Sequence, residues 1–136
     1  MFGVVPKAIW SRLVEPDEKN RIPLQTNCLL LEDGERRVLI ECGYGEKWSD
    51  KDRAIFALEQ RTIVDALAEI EVDPADLTHV IVSHLHFDHA GALTRLNQSN
   101  EPVPTFPNAS IFIQRTEWND ALANKSTMTK TYLRSH

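Results

Sequence analysis

Apolar residues form short runs in the first third of the chain. Residues 22–32 read IPLQTNCLLLE and residues 37–42 read RVLIEC. The dipeptide Asp33-Gly34 lies between them, and Asp-Gly between two apolar runs is a strong signal for a tight turn between antiparallel strands. The pattern therefore predicts a β-hairpin whose two strands cover these runs.

The second predicted strand ends at Gly43-Tyr44-Gly45. Glycine permits positive φ and lets two backbone segments approach closely. Two interpretations stay open, a plain turn from strand to loop or one wall of a functional site. Tyr44 and the nearby Trp48 are candidates for lining a substrate pocket, although aromatic residues beside a turn more often serve packing.

A helical period replaces the strand pattern in residues 52–70, and its clearest part begins at Thr62 or Arg61. Its apolar positions recur three or four residues apart: Ile63, Val64, Leu67 and Ile70. Residues 78–83 (THVIVS) are rich in β-branched side chains and predict a buried strand. A further helix is expected to begin within residues 92–96.

The remaining pattern predicts an irregular segment, one more strand and a final helix. Three prolines punctuate residues 102–107, residues 110–114 (SIFIQ) predict a strand, and Thr116 is a candidate N-cap for a helix that reaches Leu122. The order β-β-α-β-α-β-α is typical of a layered α/β domain.

Composition and charge narrow the class of protein. Of the 136 residues, 42% are hydrophobic and 26% are charged, which is typical of one globular domain. The net charge of -5 argues against a nucleic-acid partner, because phosphate binding needs a basic surface. No run approaches the roughly 20 apolar residues that cross a bilayer, and no secretory signal is visible. With Cys28 and Cys42 as its two thiols, we expect a cytoplasmic protein without disulfides.

Side chains that can bind a metal are concentrated in residues 83–91, which read SHLHFDHAG and contain three histidines and one aspartate. The predicted strand leads directly into this segment, and ligands commonly bind at the carboxyl ends of strands in layered α/β folds. Neutral imidazole suits zinc and other first-row metals, and a carboxylate adds an oxygen donor. We therefore predict a metal site rather than a set of hydrogen-bonded polar side chains, with Leu85 and Phe87 packing inward. The predicted ligands are His84, His86, Asp88 and His89.

The spacing of these ligands, followed by Ala90-Gly91, resembles the metallo-β-lactamase-fold hydrolases. Residues 38–48 (VLIECGYGEKW) and 104–118 (PTFPNASIFIQRTEW) agree with the flanks of that motif, and the resemblance is to the branch that contains the lactonases. It implies an α/β fold: the first half of an αββα sandwich, with a mixed β-sheet and covering helices. Residues 1–136 would then be a partial domain whose second half is absent from this chain.

The resemblance also implies a function. It implies a metal-dependent hydrolase that acts on an ester, lactone or related bond of a small molecule through a metal-bound hydroxide. His84 and His86 would bind one divalent ion, and Asp88 and His89 a second. Zinc is the expected metal, with iron or manganese as alternatives. Asp88 would also be catalytic, because it would orient the hydroxide.

Glu41 departs from the family pattern, which commonly has Asp at this position. Its longer side chain either supports a metal ligand from behind or is simply a carboxylate in water at the end of a strand.

Four predicted ligands shared between two ions give each ion two, which is too few because catalytic zinc normally has about three protein ligands. His79 should lie about 16 Å from His84, given the strand rise of about 3.3 Å per residue. Asp120 falls on a predicted surface helix, and His136 is the one histidine after Gly91. We therefore expect the missing ligands, and the cover for one apolar sheet face, from a second half, a second copy or another chain.

Two other functions remain open. One is a non-haem iron oxygenase of the same fold, like the persulfide dioxygenases, with a site of two histidines and one carboxylate. The other is an inactive remnant that still binds metal.

Overall fold

The computed structural model describes residues 2–124 and 131–133. Its six strands are β1 (Leu29–Glu32), β2 (Arg37–Ile40), β3 (His79–Val82), β4 (Thr94–Leu96), β5 (Pro102–Pro104) and β6 (Ser110–Ile113). Its α-helices are α1 (Lys7–Trp10), α2 (Asp50–Phe56), α3 (Ile63–Ala68), α4 (Phe87–Ala90) and α5 (Arg115–Leu122), with short 3-10 turns at Pro74–Asp76 and Gly91–Leu93. None of the helices in these described ranges has the length and apolar character to cross a membrane.

Four strands form the main sheet in the order β1-β2-β3-β6. β1 pairs with β2 antiparallel, whereas β2–β3 and β3–β6 are parallel, so the sheet is mixed as predicted. The predicted hairpin is confirmed, with Gly34 at φ +87° and the Asp33 carboxylate accepting from the Arg36 N–H. Because β3 and β6 run the same way, the residues that follow them meet at one edge of the sheet.

The first predicted strand was too long. Residues 22–28 are irregular, and pairing begins only at Leu29, which faces Ile40. β2 offers no further partner, because Glu41 has φ +64° and turns the chain out of the ladder. Pro23, which has no N–H to donate, also disfavours a strand there.

The single helix predicted over residues 52–70 is wrong, because the structure has two helices there. Ala57 adopts a left-handed conformation (φ +52°) and ends α2, and the chain reenters a helix at Ile63. Thr62 begins α3 as predicted, in a capping box with Asp65 that satisfies the first backbone donors of the helix. Ile70 therefore lies outside the helix and is exposed.

The later elements contain three further corrections. Residues 92–96 do not begin a helix; after the 3-10 turn they form β4, which pairs antiparallel with β5 in a two-stranded sheet. The segment thought to be irregular thus contributes an edge strand, the position in a sheet that tolerates proline. α5 begins at Arg115, with Gln114 rather than Thr116 at the N-cap and no side-chain cap.

The core lies on one face of the main sheet. Leu39 and Val80 are partners in the register, and both are buried together with Val82, Leu67, Leu77 and Phe106. The opposite face carries an apolar row that runs across all four strands: Leu29, Ile40, Ile81 and Phe112. Leu29, Ile81 and Phe112 in this row are 39–53% exposed. Among the residues that the structure describes, the second face of the sheet is therefore apolar and partly exposed, as the sequence led us to expect.

Candidate metal centre

The three histidines of the SHLHFDHAG segment lie side by side. The ring centroid of His84 is 3.9 Å from that of His89 and 4.6 Å from that of His86. β3 ends at Val82, and α4 begins at Phe87 with His86 as its N-cap residue. The helical turn brings His89 back beside His84, so three imidazole rings lie together at the carboxyl end of β3.

His89 lies between two carboxylates. Its Nε2 is 3.5 Å from Asp88 Oδ2, and its Nδ1 is 3.2 Å from Glu41 Oε2. Two ligands bound tetrahedrally to one zinc ion at about 2.1 Å stand about 3.4 Å apart. The spacing of Asp88 and His89 therefore fits a shared divalent ion, with Glu41 behind the ring as the outer carboxylate that metal-bound histidines commonly have.

Glu41 reaches this position from the end of β2. Its left-handed backbone directs the chain toward the motif, and its Oε1 accepts a hydrogen bond from the Ser83 N–H at 3.0 Å. Its Oε2 is buried and accepts no hydrogen bond from the residues that the structure describes. The side chain is 16% exposed. The Glu41 carboxylate is therefore mostly shielded from water. This placement supports the interpretation in which Glu41 supports the metal ligand His89 from outside the first shell of ligands.

The electrostatics at His84 favour its neutral form. Burial, followed by the neighbouring His89 and His86 rings, lowers the pKa of His84 below its usual value. Nδ1 of His84 is hydrogen-bonded to Ser83 Oγ at 2.9 Å. The other ring nitrogen, Nε2, is therefore the one available to a metal ion. A neutral ring is the form that coordinates metal.

The turn at residues 43–45 packs on the motif through its backbone. Gly43 and Gly45 have φ +73° and +64°, and a Cβ on Gly45 would lie 2.5 Å from the Gly91 carbonyl oxygen. The His89 carbonyl accepts from the Cys42 N–H at 3.0 Å. Gly45 is therefore needed for the close approach to the segment after the histidines, and the turn is more than a link between strand and loop.

The aromatic residues near this turn pack on one another. The Trp48 ring meets Phe87 and Phe56 edge to face, with centroids 5.0 and 5.9 Å apart. Trp48 Nε1 donates to the Tyr44 carbonyl at 2.8 Å. The Tyr44 hydroxyl is engaged by the carbonyls of Glu59 and Arg61, so the structure does not bring it to the histidines.

Both apolar residues inside the motif pack as predicted. Leu85 lies against the buried core, and Phe87 joins the aromatic group of Trp48 and Phe56.

Sequence reasoning missed two residues beside the motif. Glu117 Oε1 accepts from the Leu85 N–H at 2.7 Å, and the Tyr132 ring lies 5.2 Å from the His86 ring. Glu117 belongs to α5, which follows β6, the parallel neighbour of β3. A carboxylate just after a strand parallel to the motif strand was the signal that could have found it.

Of the other donors that the sequence offered, His79 does not join the cluster. His79 begins β3, where its Nδ1 lies 2.8 Å from Thr78 Oγ1 and its ring stacks on Phe112. Asp120 lies on α5, and His136 is outside the described residues. Within residues 2–124 and 131–133, no three His, Cys, Asp or Glu side chains are arranged to hold a metal ion by themselves. The imidazole and carboxylate side chains of the motif are the types of ligand that bind divalent metals, and the distance between Asp88 and His89 fits one shared ion. Further ligands would complete the coordination shell of each ion.

Comparison with known proteins decides the family. The model of the Metallo-beta-lactamase superfamily matches residues 21–106, more than half of the chain and including the whole histidine motif. The chain belongs to the Metallo-beta-lactamase superfamily. The resemblance drawn from the motif and its flanks is thereby confirmed.

Several relatives within this superfamily are lactonases. The chain is 31% identical over 118 residues to the N-acyl homoserine lactonase AiiA of Bacillus thuringiensis subsp. kurstaki, a match that covers 78% of this chain and 43% of that protein. It is 41% identical over 58 residues to the N-acyl homoserine lactonase AttM of Agrobacterium fabrum, which covers 43% of this chain and 18% of that protein. The chain thus spans less than half the length of these relatives.

Solved structures of the superfamily share the fold. A probable metal-dependent hydrolase from Staphylococcus aureus matches with a TM-score of 0.83 at 33% identity, over 99% of this chain and 48% of that one. The dizinc quorum-quenching lactonase AidC, in complex with the product N-hexanoyl-L-homoserine, matches with a TM-score of 0.54 at 31% identity, over 71% of this chain and 29% of that one. The predicted metallo-β-lactamase-type α/β fold is confirmed.

Proposed function

We propose that this protein is a metal-dependent hydrolase that opens lactones, with N-acyl homoserine lactones as the substrate class to test first. The observation that carries the proposal is the position of His89, 3.5 Å from Asp88 and beside the His84 ring, with Glu41 behind it. The lactonases AiiA and AttM support the substrate class, because their names state that activity.

The proposed ligands divide between two divalent ions. His84 and His86 hold the first ion, and Asp88 and His89 hold the second. Zinc is the expected metal, in keeping with the dizinc relative AidC, and the same donors accept iron or manganese. When bound, such ions activate water and polarise the substrate carbonyl.

The residues of this chain have distinct tasks around that centre. The lowered pKa of His84 keeps its ring neutral and available for coordination. Asp88 is half-exposed, so its carboxylate can accept a hydrogen bond from the attacking water and orient it. The Glu41 carboxylate lies 3.2 Å from Nδ1 of His89, on the side of the ring away from Nε2, and so leaves Nε2 for the metal.

An apolar surface lies next to these ligands. Phe87, which immediately precedes Asp88, packs with Phe56 at a centroid distance of 5.3 Å, and Phe56 is half-exposed. Such a surface suits the hydrocarbon part of an acylated lactone, because it removes apolar area from water on both sides.

The test uses the protein expressed from its whole gene and purified with its metal. Metal content is measured by elemental analysis, and ring opening of a series of N-acyl homoserine lactones is followed by the proton that each hydrolysis releases. We expect about two zinc ions per protein and hydrolysis that His84→Ala and Asp88→Ala each abolish. Glu35→Gln, in the β1–β2 turn at the other end of β2, serves as the control and should retain activity.

The same measurements separate the alternatives. One iron per protein with oxygen uptake on a persulfide would support the oxygenase and contradict the hydrolase. Metal binding without turnover on esters, lactones or phosphoesters would support a remnant. Hydrolysis that survives in both motif variants would remove the four ligands from the mechanism.

A further inference from the structure

The backbone of the histidine segment is held at alternate residues by three separate parts of the chain. The Ser83 N–H donates to Glu41 Oε1 at 3.0 Å, and the Leu85 N–H donates to Glu117 Oε1 at 2.7 Å. The Phe87 N–H donates to the Thr131 carbonyl at 3.0 Å. The first two acceptors are carboxylates, and the N–H groups that they hold belong to the residues that precede and follow His84.

We propose that Glu117 and Glu41 are positioning residues that fix His84 for metal binding, by holding the backbone N–H groups on either side of it. This inference rests on the proposed function. With both neighbours fixed, the Cα of His84 keeps its place whether or not an ion is present, and a metal ligand gains affinity from such preorganisation.

Glu117 also connects to the second ligand of the same ion. Desolvation, and then a hydrogen bond to Glu117, raise the pKa of the Tyr132 hydroxyl. The Tyr132 ring in turn packs against the His86 ring at 5.2 Å. One carboxylate on α5 therefore contacts the backbone beside His84 and the hydroxyl of the tyrosine that packs on His86.

The fold explains why a residue so distant in sequence can do this. β6 is the parallel neighbour of β3, with Val82 and Ile113 as the last pair of the ladder. The chain after Ile113 turns into α5, and Glu117 lies in its first turn. Glu117 is half-buried, so its reach to Leu85 is shielded from full competition by water.

The proposal predicts a specific order among variants of Glu117. The Leu85 N–H needs an acceptor at the right distance, and a negative charge is not required. Glu117→Gln keeps an acceptor at the same distance and should bind zinc within about threefold of wild type. Glu117→Ala removes the acceptor and Glu117→Asp shortens the reach, so both should weaken zinc binding about 10-fold or more, in the range expected for groups that support metal ligands. A role through charge alone would reverse the Gln and Asp results.

The experiment measures zinc affinity of the protein from its whole gene by competition with a chromophoric chelator. Thermal unfolding of the metal-free protein is measured in parallel, and Glu35→Gln is the matched control with no expected change. Where Glu117→Ala does not fold, Glu117→Asp carries the comparison with Glu117→Gln. We expect weaker zinc binding in the Ala and Asp variants with metal-free unfolding temperatures near that of Glu117→Gln.

Three outcomes would count against the inference. Equal zinc affinity in all Glu117 variants, with wild type binding two ions and opening lactones, would remove the positioning role and leave the proposed function intact. Loss of affinity that only mirrors a fall in the unfolding temperature would make Glu117 a general stabiliser. A wild-type protein that binds no zinc would overturn both proposals.

Discussion

Gly91 lies so close to Tyr44 that a Cβ atom on Gly91 would stand 2.3 Å from the Tyr44 carbonyl oxygen. The approach is between two backbones, so no side-chain rotation can relieve it. It joins the turn after β2 to the residues that follow the histidine segment. The position of His89 is therefore tied to a strand that contributes no predicted metal ligand.

Replacing Gly91 by alanine should disturb the metal site through this contact. The φ of Gly91 is -60°, so alanine fits the backbone there and only the lack of space opposes it. We expect a loss of about 1–3 kcal/mol in the free energy of unfolding, the usual cost of overpacking, and weaker zinc binding. Chemical denaturation and chelator competition measure the two effects.

Gly34→Ala provides the contrasting control. Gly34 has φ +87° but no atom within 4 Å of an added Cβ, so alanine would be strained and not crowded. The cost should be about 1–2 kcal/mol, with unchanged zinc affinity, because the β1–β2 turn is at the far end of β2. Wild-type zinc affinity in Gly91→Ala would show that the two backbones can separate without consequence for the site.

Glu41 offers a second test, because it contacts both the Ser83 N–H and the His89 ring. Glu41→Ala should reduce zinc affinity about 10–100-fold, as expected when the outer partner of a metal-bound histidine is removed. Glu41→Asp, the residue common in the family, should give an intermediate loss because the shorter side chain cannot make both contacts from the same backbone position.

The effect of backbone strain at position 41 must be distinguished from the effect of losing the carboxylate contacts. Glu41 has φ +64°, so a glycine there relieves backbone strain while it removes the carboxylate. Glu41→Gly should therefore match Glu41→Ala in zinc affinity and exceed it in thermal stability. Zinc binding in Glu41→Gly at the wild-type level would mean that the carboxylate does not support His89.

The motif strand and the hairpin could be predicted from sequence because each depends on local signals. The β-branched run before His84 and the Asp33-Gly34 turn specify their structures within a few residues. The break at Ala57 could not be predicted, since alanine rarely adopts the left-handed conformation and nothing in the apolar pattern marks it.

The same distinction holds at the site. The four predicted ligands lie within six consecutive positions, so their clustering along the chain was enough to predict a metal site there. Glu117 acts on Leu85 across 32 positions of sequence, and only the pairing of β3 with β6 brings the two together. A pattern that is read along one chain does not contain that pairing, which is decided by the packing of the whole sheet.

The two thiols provide a test of burial that does not involve metal. Burial raises the pKa of Cys42 to about 12, and burial followed by the charge of Glu41 raises that of Cys28 to about 11, from an ordinary value of 9.0. The thiolate is the reactive form. At pH 8 both thiols should therefore react with a disulfide reagent at least 10-fold more slowly in the folded protein than in guanidinium.

The raised pKa values also give the folding stability a dependence on alkaline pH. The folded protein retains these protons where the unfolded chain releases them, so the contribution is complete below about pH 9 and declines as pH rises toward 11–12. Denaturation at pH 8, 9.5 and 10.5 should show a smaller alkaline loss in Cys42→Ala than in wild type. Equal losses would show that Cys42 does not hold its proton in the folded state.

The last prediction concerns self-association through the apolar row of Leu29, Ile40, Ile81 and Phe112. Monomers rarely leave so continuous an apolar surface open to water. The 136-residue chain expressed alone should therefore bind an apolar dye strongly and self-associate with rising concentration, as sedimentation velocity would show.

Ile81→Thr, at the centre of the row, should lower both dye binding and self-association, because it places a hydroxyl in the middle of the apolar surface without touching the buried face of β3. Ile55→Thr is the matched control, since Ile55 is 51% exposed but lies on α2. Equal effects of the two substitutions would mean that scattered exposed side chains drive association. An effect confined to Ile81 would identify the sheet face as the surface that needs a partner, because four neighbouring strands present partly exposed apolar side chains in register there.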